Sequence, residues 1–492
     1  MINRVTPGSF SASMRTSNKF TPTDDVAVRH EADTGKGTGS AIYDNFGFSN
    51  FTPEDLTSDG KVPIIIAGKS KRSLKRLKGK LAKKFDIDQV KFKEDLPLVD
   101  GIKMEIDPYN FRQVMKALPK GTQVVLDSKI KYPKPEQLKP KIPGPEKESR
   151  PALDIANSTL GINRLWEMGY TGKGVGICVI DSGLHPHKDF EGRIKAFVDI
   201  HDGKETPHDP YGHGTHVTSV AAGSGAESAG KYKGVAPDAD IVAIRITSVS
   251  EAIKGIQWAI ENKDKFNIDV INMSLGDFPI KSYKTDPWAQ AAEKAWDAGM
   301  LVVVAAGNEG PGEGTISTPG IAPKVITVGA IDDQNTPERG DDEIAEFSSR
   351  GPTSPDGLTK PDIVAPGVEI FGALSPDSTL DTPDLPHVGK KYIGISGSSM
   401  ATPLVSGLGA LLIQANPDLS NEDIKRILMD TAENYIPGAK PEDQGVGLID
   451  PIEALQVALL RKDPKNLPMV IKKENNLPML IADNVIDKKS NK

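Results

Sequence analysis

At 492 residues, with 26% charged residues, a mean hydropathy of −0.34 and a single cysteine, the chain is long enough for one large domain plus smaller segments and cannot form an intramolecular disulfide. No apolar run reaches the ~18 residues of a membrane helix, and none follows Met1. The expectation is a soluble, cytoplasmic protein with no membrane partner, leaderless export being the other route considered. The net charge of −7 is unevenly spread: residues 1–150 carry 28 Lys+Arg against 19 Asp+Glu (+9), and the remainder 32 against 48 (−16), which leaves two readings of equal weight, halves that bind each other or two independently solvated surfaces.

Residues 1–60 are rich in Ser, Thr, Asn, Asp and Gly, cannot bury enough apolar surface to offset their ordering entropy, and read as a disordered extension whose aromatic cluster is Phe46, Phe48 and Phe51. From 61 to 132 strand and helix signals alternate. Val62–Ala67 reads as a strand, Leu74, Leu77, Leu81 and Phe85 mark one helical face, strands follow at 90–92 and 101–106, then a helix over 108–118 and a strand at 123–126. This β-α-β-β-α-β order is the split-βαβ, ferredoxin-like pattern of a small α+β domain. Nine Lys/Arg lie between Lys69 and Lys84, but no aromatics are interleaved for base stacking, so a solvated helix face, part of it steering onto the acidic half, is expected and no nucleic-acid partner. Residues 133–152 hold proline at 133, 135, 140, 143, 145 and 151 and read as an extended linker.

From Leu153 to 462 the α/β alternation is sustained. Runs such as 176–180, 240–244, 269–273, 300–304 and 325–329 are almost continuously apolar, as in parallel strands covered on both faces. Asp286-Pro287 opens an intervening helix as cap and first residue, and Gly299 stops it. The pattern predicts a doubly wound, mainly parallel sheet with its site at the carboxyl ends of the strands. Cys178 sits inside a strand run and reads as an inert core thiol. Ser420–Leu428 and Pro451–Leu460 read as amphipathic helices. The tail, 463–492, repeats Asn-Leu-Pro-Met at 466 and 476, as edge strands, a strap or a removable segment.

Three stretches carry chemistry. Val179-Ile180-Asp181-Ser182-Gly183 ends a strand with a carboxylate, Gly212-His213-Gly214-Thr215-His216 starts a small-residue helix, and Ser396-Gly397-Ser398-Ser399-Met400-Ala401-Thr402-Pro403 is a tight turn entering an apolar helix. Pro403 is expected in the first turn, where no N–H is needed. Ser399 then sits at a helix N-terminus, where the dipole and free N–H groups favour a developing anion. Acid, base and nucleophile in the order Asp…His…Ser is one of the known orders of the Ser-His-Asp hydrolases.

With a fourth stretch, Ala305-Ala306-Gly307-Asn308-Glu309-Gly310, these motifs make the chain from about Leu153 to Leu459 resemble the subtilisin-like serine proteases. The resemblance implies a serine endopeptidase: Ser399 attacks, His213 shuttles the proton, Asp181 holds the imidazole, and Asn308 with the Ser399 N–H forms the oxyanion hole. It further implies that 61–132 is an N-terminal propeptide acting as folding aid and intramolecular inhibitor, that the proline-rich 133–152 carries the maturation site, and that 153–462 is the catalytic domain. Polypeptide substrates would lie extended along Ser274, Leu275 and Gly276. On the opposite edge Ile246–Ser250 looks several residues shorter than in subtilisin itself, which predicts a more open or reshaped groove wall. The first pocket would be lined by Ala305, Ala306, Gly307 and Ser317, with Asp277 and Glu309 at its mouth, accepting apolar residues and tolerating Lys or Arg. Ser398 departs from the family's usual Thr but keeps the hydroxyl, and His216 reads as a packed helix residue. No catalytic cofactor is expected; Asp332-Asp333 and Asp341-Asp342-Glu343 are candidate ligands for the structural calcium many subtilases carry.

Overall fold

The computed structural model describes residues 55–68, 70–119, 122–138, 152–279, 281–336, 339–433, 436 and 438–462, and the backbone of 470–474 and 477–481. The extension with Phe46, Phe48 and Phe51, and the stretch 139–151, lie outside the described residues. The first unit runs β1 (Val62–Ala67), α1 (Lys71–Ala82), β2 (Val90–Leu96), β3 (Gly101–Ile106), α2 (Phe111–Ala117) and β4 (Gln123–Leu126), an antiparallel sheet in the order β2-β3-β1-β4. Ser70 caps α1 in a box with Ser73, and Leu74, Leu77 and Leu81 are its buried face. Every residue of β1 is buried, which an antiparallel strand with one wet face would not need. Ile64 and Ile66 pack with α1 and α2, whereas Ile65, Leu96, Val99 and Val125 join the core of the larger unit. The continuous apolar run of β1 thus records a sheet covered on both faces.

The larger unit begins with α3 (Ala152–Thr159) and α4 (Ile162–Glu167) and continues through β5 (Gly176–Asp181), β6 (Ile194–Asp199), α5 (His213–Ala222), β7 (Asp240–Arg245), α6 (Val249–Glu261), β8 (Ile268–Met273), α7 (Pro287–Asp297), β9 (Leu301–Ala305), β10 (Ile326–Asp332), β11 (Glu343–Ile344) and β12 (Ile363–Pro366). Its sheet has the order β11-β10-β9-β8-β5-β7-β6, with β12 also on β10, and all pairings are parallel except β10 with β11. The fold is the doubly wound α/β class expected. From β5 the chain moves to β6 and β7 on one side and to β8, β9 and β10 on the other, so the crevice at the carboxyl end of β5 is the switch point where such sheets build sites.

A small antiparallel sheet of β13 (Ile370–Ala373), β14 (His387–Val388) and β15 (Tyr392–Ile395) leads into α8 (Ser398–Ala415), followed by α9 (Asn421–Asp430) and α10 (Pro451–Lys462). Among the described residues α8 is the one helix long and apolar enough to cross a membrane, but it is buried through the core against β8, β9, β10 and α5. Pro403 is the sixth residue of α8 rather than one of its first turn, so the carbonyl of Ser399 loses its i+4 donor. In the tail β16 (Val470–Glu474) and β17 (Leu477–Ile481) pair antiparallel, while residues 466–469 of the first repeat lie outside the described residues.

The two units meet through the Pro97–Val99 turn and β2 against α6 and α7. Among the described residues several contacts across this seam run against the charge asymmetry. Lys254, Lys281 and Lys294 of the acidic half reach across to Glu94 and to the carbonyls of Val124 and Leu98, while the basic residues of α1 face outward.

Candidate active site

Asp181 is the last residue of β5 and His213 the first of α5. They can approach because Gly214 lies against the turn after β5: a Cβ there would sit 2.3 Å from the carbonyl of Gly183 and 3.1 Å from the Asp181 Cβ. His213 Nδ1 is 2.9 Å from Asp181 Oδ1, with both side chains fully buried. Burial by itself would lower the imidazole pKa, but the attraction of Asp181, its hydrogen bond and the charge of Asp209 outweigh it, and the net direction is upward. A carboxylate can only accept, so Nδ1 carries the proton; Nε2, buried and without a hydrogen-bond partner, carries the lone pair. His216, one turn on, bonds the Ile370 carbonyl through Nε2 at 3.0 Å, and burial with the nearby His213 pushes it down to about 3, so it stays a neutral packing residue.

Ser399 is the second residue of α8. Its Oγ donates to the Ser274 carbonyl at 2.8 Å and makes no hydrogen bond to His213. Asn308 follows β9 after Gly307, whose φ of +110° is disfavoured for other residues. Asn308 Oδ1 accepts from the Ser398 N–H at 2.9 Å and the Ser398 Oγ at 3.0 Å, and Ser398 Oγ accepts from the Gly307 N–H at 3.2 Å. With Oδ1 so occupied, the amide Nδ2 is the free end, close to Gly397 at the start of α8.

Ser274 to Asp277 leave β8 along one edge of a groove. Asp277 pairs with Thr318, Ser317 donates its N–H to the Ala306 carbonyl at 2.8 Å, and Gly276 packs on Ser317, which draws the expected pocket residues Ala305, Ala306 and Gly307 together; Leu275 is buried and Glu309 exposed. The opposite edge is Ile246–Val249. Between the edges lies the end of the first unit: Ile130 N–H donates to the Thr247 carbonyl at 2.8 Å, Val249 N–H to the Ser128 carbonyl at 3.1 Å, and Lys129 bridges Ser248 antiparallel. Tyr132 stacks on Tyr211 at 4.7 Å and lies 5.6 Å from the His213 ring. Asp277, expected at the mouth of the first pocket, takes a hydrogen bond from Ser128 Oγ, and burial raises its pKa.

Sequence reading missed two devices. Asp209 accepts from Ser182 Oγ, Gly212 N, Thr215 N and Thr215 Oγ1 at 2.7–2.9 Å, clamping the turn that delivers His213; an Asp four residues before the His was the available signal. Asp127 accepts from the Ser250 N–H at 2.7 Å and Oγ at 2.8 Å and pairs with Lys103 at 2.8 Å, so one unit caps the N-terminus of α6 in the other. The acidic runs nominated for calcium, Asp332-Asp333 and Asp341-Asp342-Glu343, do not gather three ligand atoms. Among the described residues the group that does is Asp199, Asp202 and His208.

A buried carboxylate–imidazole pair at the switch point of a doubly wound sheet, with a serine at the start of a helix in the same unit, supplies the residue types that hydrolases of the Asp-His-Ser order use. Residues 172–447 match the subtilase family (Peptidase_S8), and the chain belongs to that family of subtilisin-like serine endopeptidases. It is 42% identical over 314 residues to the serine protease AprX of Bacillus subtilis, covering 61% of this chain and 70% of AprX. It is 36% identical over 270 residues to Subtilisin Savinase of Lederbergia lenta, covering 54% of this chain and 85% of that enzyme. Fervidolysin of Fervidobacterium pennivorans, a keratinolytic enzyme related to subtilisin, shares the fold with a TM-score of 0.59 and 25% identity over 80% of this chain and 61% of its own. These relatives overturn the cytoplasmic expectation: Savinase and the related alkaline proteases are extracellular enzymes. The expectation rested on the residues after Met1, which carry no weight against them.

Proposed function

We propose that the chain is made as a self-processing zymogen and hydrolyses polypeptides through an acyl-enzyme. Ser399 Oγ turns from the Ser274 carbonyl toward His213 Nε2, gives up its proton there and attacks the substrate carbonyl; His213 passes the proton to the leaving amine. Asp181 keeps the proton on Nδ1 and stabilises the imidazolium. The oxyanion is received by Asn308 Nδ2 and the Ser399 N–H. No metal or other cofactor takes part in this scheme. Substrate pairs as an extended strand with Thr247–Val249, while Ser274–Asp277 and the Ala305–Gly307 segment with Ser317 hold its side chains and Glu309 stands at the rim.

The observation that carries this reading is the antiparallel seating of Ser128–Ile130 on Thr247–Val249 with Tyr132 over His213. It supports residues 61–132 as the intramolecular inhibitor, occupying the groove as substrate would. The chain then crosses the proline-rich 133–152, where the maturation cut falls. Mass spectrometry of purified wild-type chain after incubation, against Ser399→Ala, tests the reading: the wild type is expected to split within 133–152 and the variant to stay intact. An intact wild type, or a variant cut at the same bond, contradicts it.

A further inference from the structure

We propose that Tyr211 makes the groove select an aromatic substrate side chain, phenolic by preference, in the slot between its own ring and that of His213, with the carbonyl of Ile246 at the far end. This rests on the reading of the first unit as an occupant of the groove, because Tyr132 is the residue that fills the slot.

From Ser128 to Tyr132 the chain alternates as an extended strand does. Ser128 and Ile130 are buried, Lys129 and Lys131 are exposed, and the Tyr132 ring turns inward again. That ring stacks on Tyr211 with centroids 4.7 Å apart and planes 29° from parallel, and it lies 5.6 Å from the His213 ring at a tilt of 50°. Ring pairs gain from such offset and tilted placements beyond the area they bury, whereas an aliphatic side chain gains the burial alone. At the far end Tyr132 Oη donates to the Ile246 carbonyl at 3.2 Å. A carbonyl can only accept, so a phenol is matched there and the bare ring of a Phe leaves the contact unmade.

Tyr211 is held in place at both ends. Its N–H donates to Asp209 Oδ1 at 3.2 Å, within the clamp that also takes the N–H groups of Gly212 and Thr215, and its hydroxyl donates to the Pro133 carbonyl. The residue that stacks on the occupant's ring therefore also grips the backbone one residue further on. A Lys or Arg in the slot would find the same carbonyl to donate to, but its charge would stand beside the imidazole that must become a cation when Ser399 gives up its proton. Because the ring lies beside the catalytic base and each residue advances the chain by at most about 3.8 Å, the bond cut falls within about two residues downstream of the occupant.

The test uses the self-processed wild-type chain and its Tyr211→Ala and Tyr211→Phe variants on fluorogenic peptides in which each position before the cut is set in turn to Tyr, Phe, Leu, Lys or Ala, the cut being located by mass spectrometry. At a single position next to the cut or one removed from it, the wild type should favour Tyr over Ala by at least about tenfold in kcat/KM and over Phe by about threefold to tenfold, with Leu and Lys below Phe. Ratios taken within one enzyme cancel any general loss from disturbing the loop before His213. In Tyr211→Ala the Tyr-to-Ala ratio should fall to about twofold, and in Tyr211→Phe it should stay near that of the wild type because the stacking face survives. A wild type that processes itself and cleaves these peptides with no aromatic preference beside the cut overturns the inference and leaves the zymogen reading standing; so does a preference that survives undiminished in Tyr211→Ala. A wild type that never processes itself, or whose peptide cleavage its N-terminal fragment does not suppress, overturns the zymogen reading and this inference with it.

Discussion

At the scale of single residues, the site is a set of atoms each left with one free valence. Asn308 has its carbonyl end tied to Ser398, so its amide end is directed; His213 has Nδ1 tied to Asp181, so Nε2 is the nitrogen left to serve as base in the proposed scheme. Asn308→Ala is expected to lower kcat by about 10²–10³-fold with little change in KM, because the oxyanion forms only in the transition state. Ser398→Ala removes the hydroxyl that links Asn308 Oδ1 to the Gly307 N–H. A single such hydrogen bond is worth about 1 kcal/mol, so a loss of about fivefold to tenfold in kcat is expected, restored in Ser398→Thr; loss without rescue would make Ser398 a packing residue. The pH profile follows from His213. Asp181 raises its pKa, and proteolysis needs the neutral ring, so kcat/KM should climb with pH through a point above the ordinary His value of 6.5. Asp181→Asn should move that limb to lower pH while cutting kcat on the order of 10⁴-fold. A limb that stays put would separate the profile from His213.

At the scale of elements, two units are joined by one device at each end of a short chain segment. Asp127 caps α6 from outside, and three residues on, Ile130 pairs with the strand that leads into the same helix. Ser248, the N-cap residue of α6, makes no capping bond of its own, so the first turn of the helix depends on Asp127. Asp127→Ala should leave self-cleavage intact but let the N-terminal fragment separate from the catalytic unit on gel filtration at concentrations where the parent fragments co-elute. The loss should be about 2–3 kcal/mol, from a missing cap and a partly buried Lys103 left without its carboxylate. Continued co-elution would mean that the sheet face of Ile65, Leu96 and Val99 holds the fragment alone. How much of this was legible in the sequence depends on range. The strands of the parallel sheet, the Asp286-Pro287 cap and the four motifs are local patterns, written in consecutive residues. The Asp127–Ser250 cap and the Tyr132–Tyr211 stack join residues 123 and 79 positions apart, and no spacing rule reaches that far. The position of Pro403 misled for a different reason: proline usually marks a first turn, but α8 is held by burial on nearly every side and tolerates the missing N–H five residues further in.

At the scale of the whole molecule, the strongly perturbed charges are buried and local, and burial disfavours their ionised forms. Lys360 is enclosed with Asp362 and Lys425 under β10, and burial lowers it to about 8. Asp333, just beyond β10, is the opposite case: burial, with Asp342 and Asp332 nearby, pushes its carboxyl up to about 7. In the unfolded chain an Asp titrates near 3.8. Between these values the folded state holds a proton that the unfolded state has lost, so stability falls as pH rises from about 4 toward 7 and stays reduced above it. Asp333→Asn abolishes the titration while keeping the shape and the acceptor for the Asn335 N–H. In a Ser399→Ala background, which prevents digestion during melting, the Asn variant should therefore melt higher than its parent at pH 8, with the advantage shrinking as pH falls and vanishing below about pH 4. A carboxyl lifted from 3.8 to about 7 caps the gain at about 4 kcal/mol, and any remaining interaction of the ionised form with solvent reduces it. Equal melting of the two proteins at pH 8 would show that the ionised carboxylate is compensated in the folded state, and a lower Tm for the variant would show that it is stabilised there by a cation.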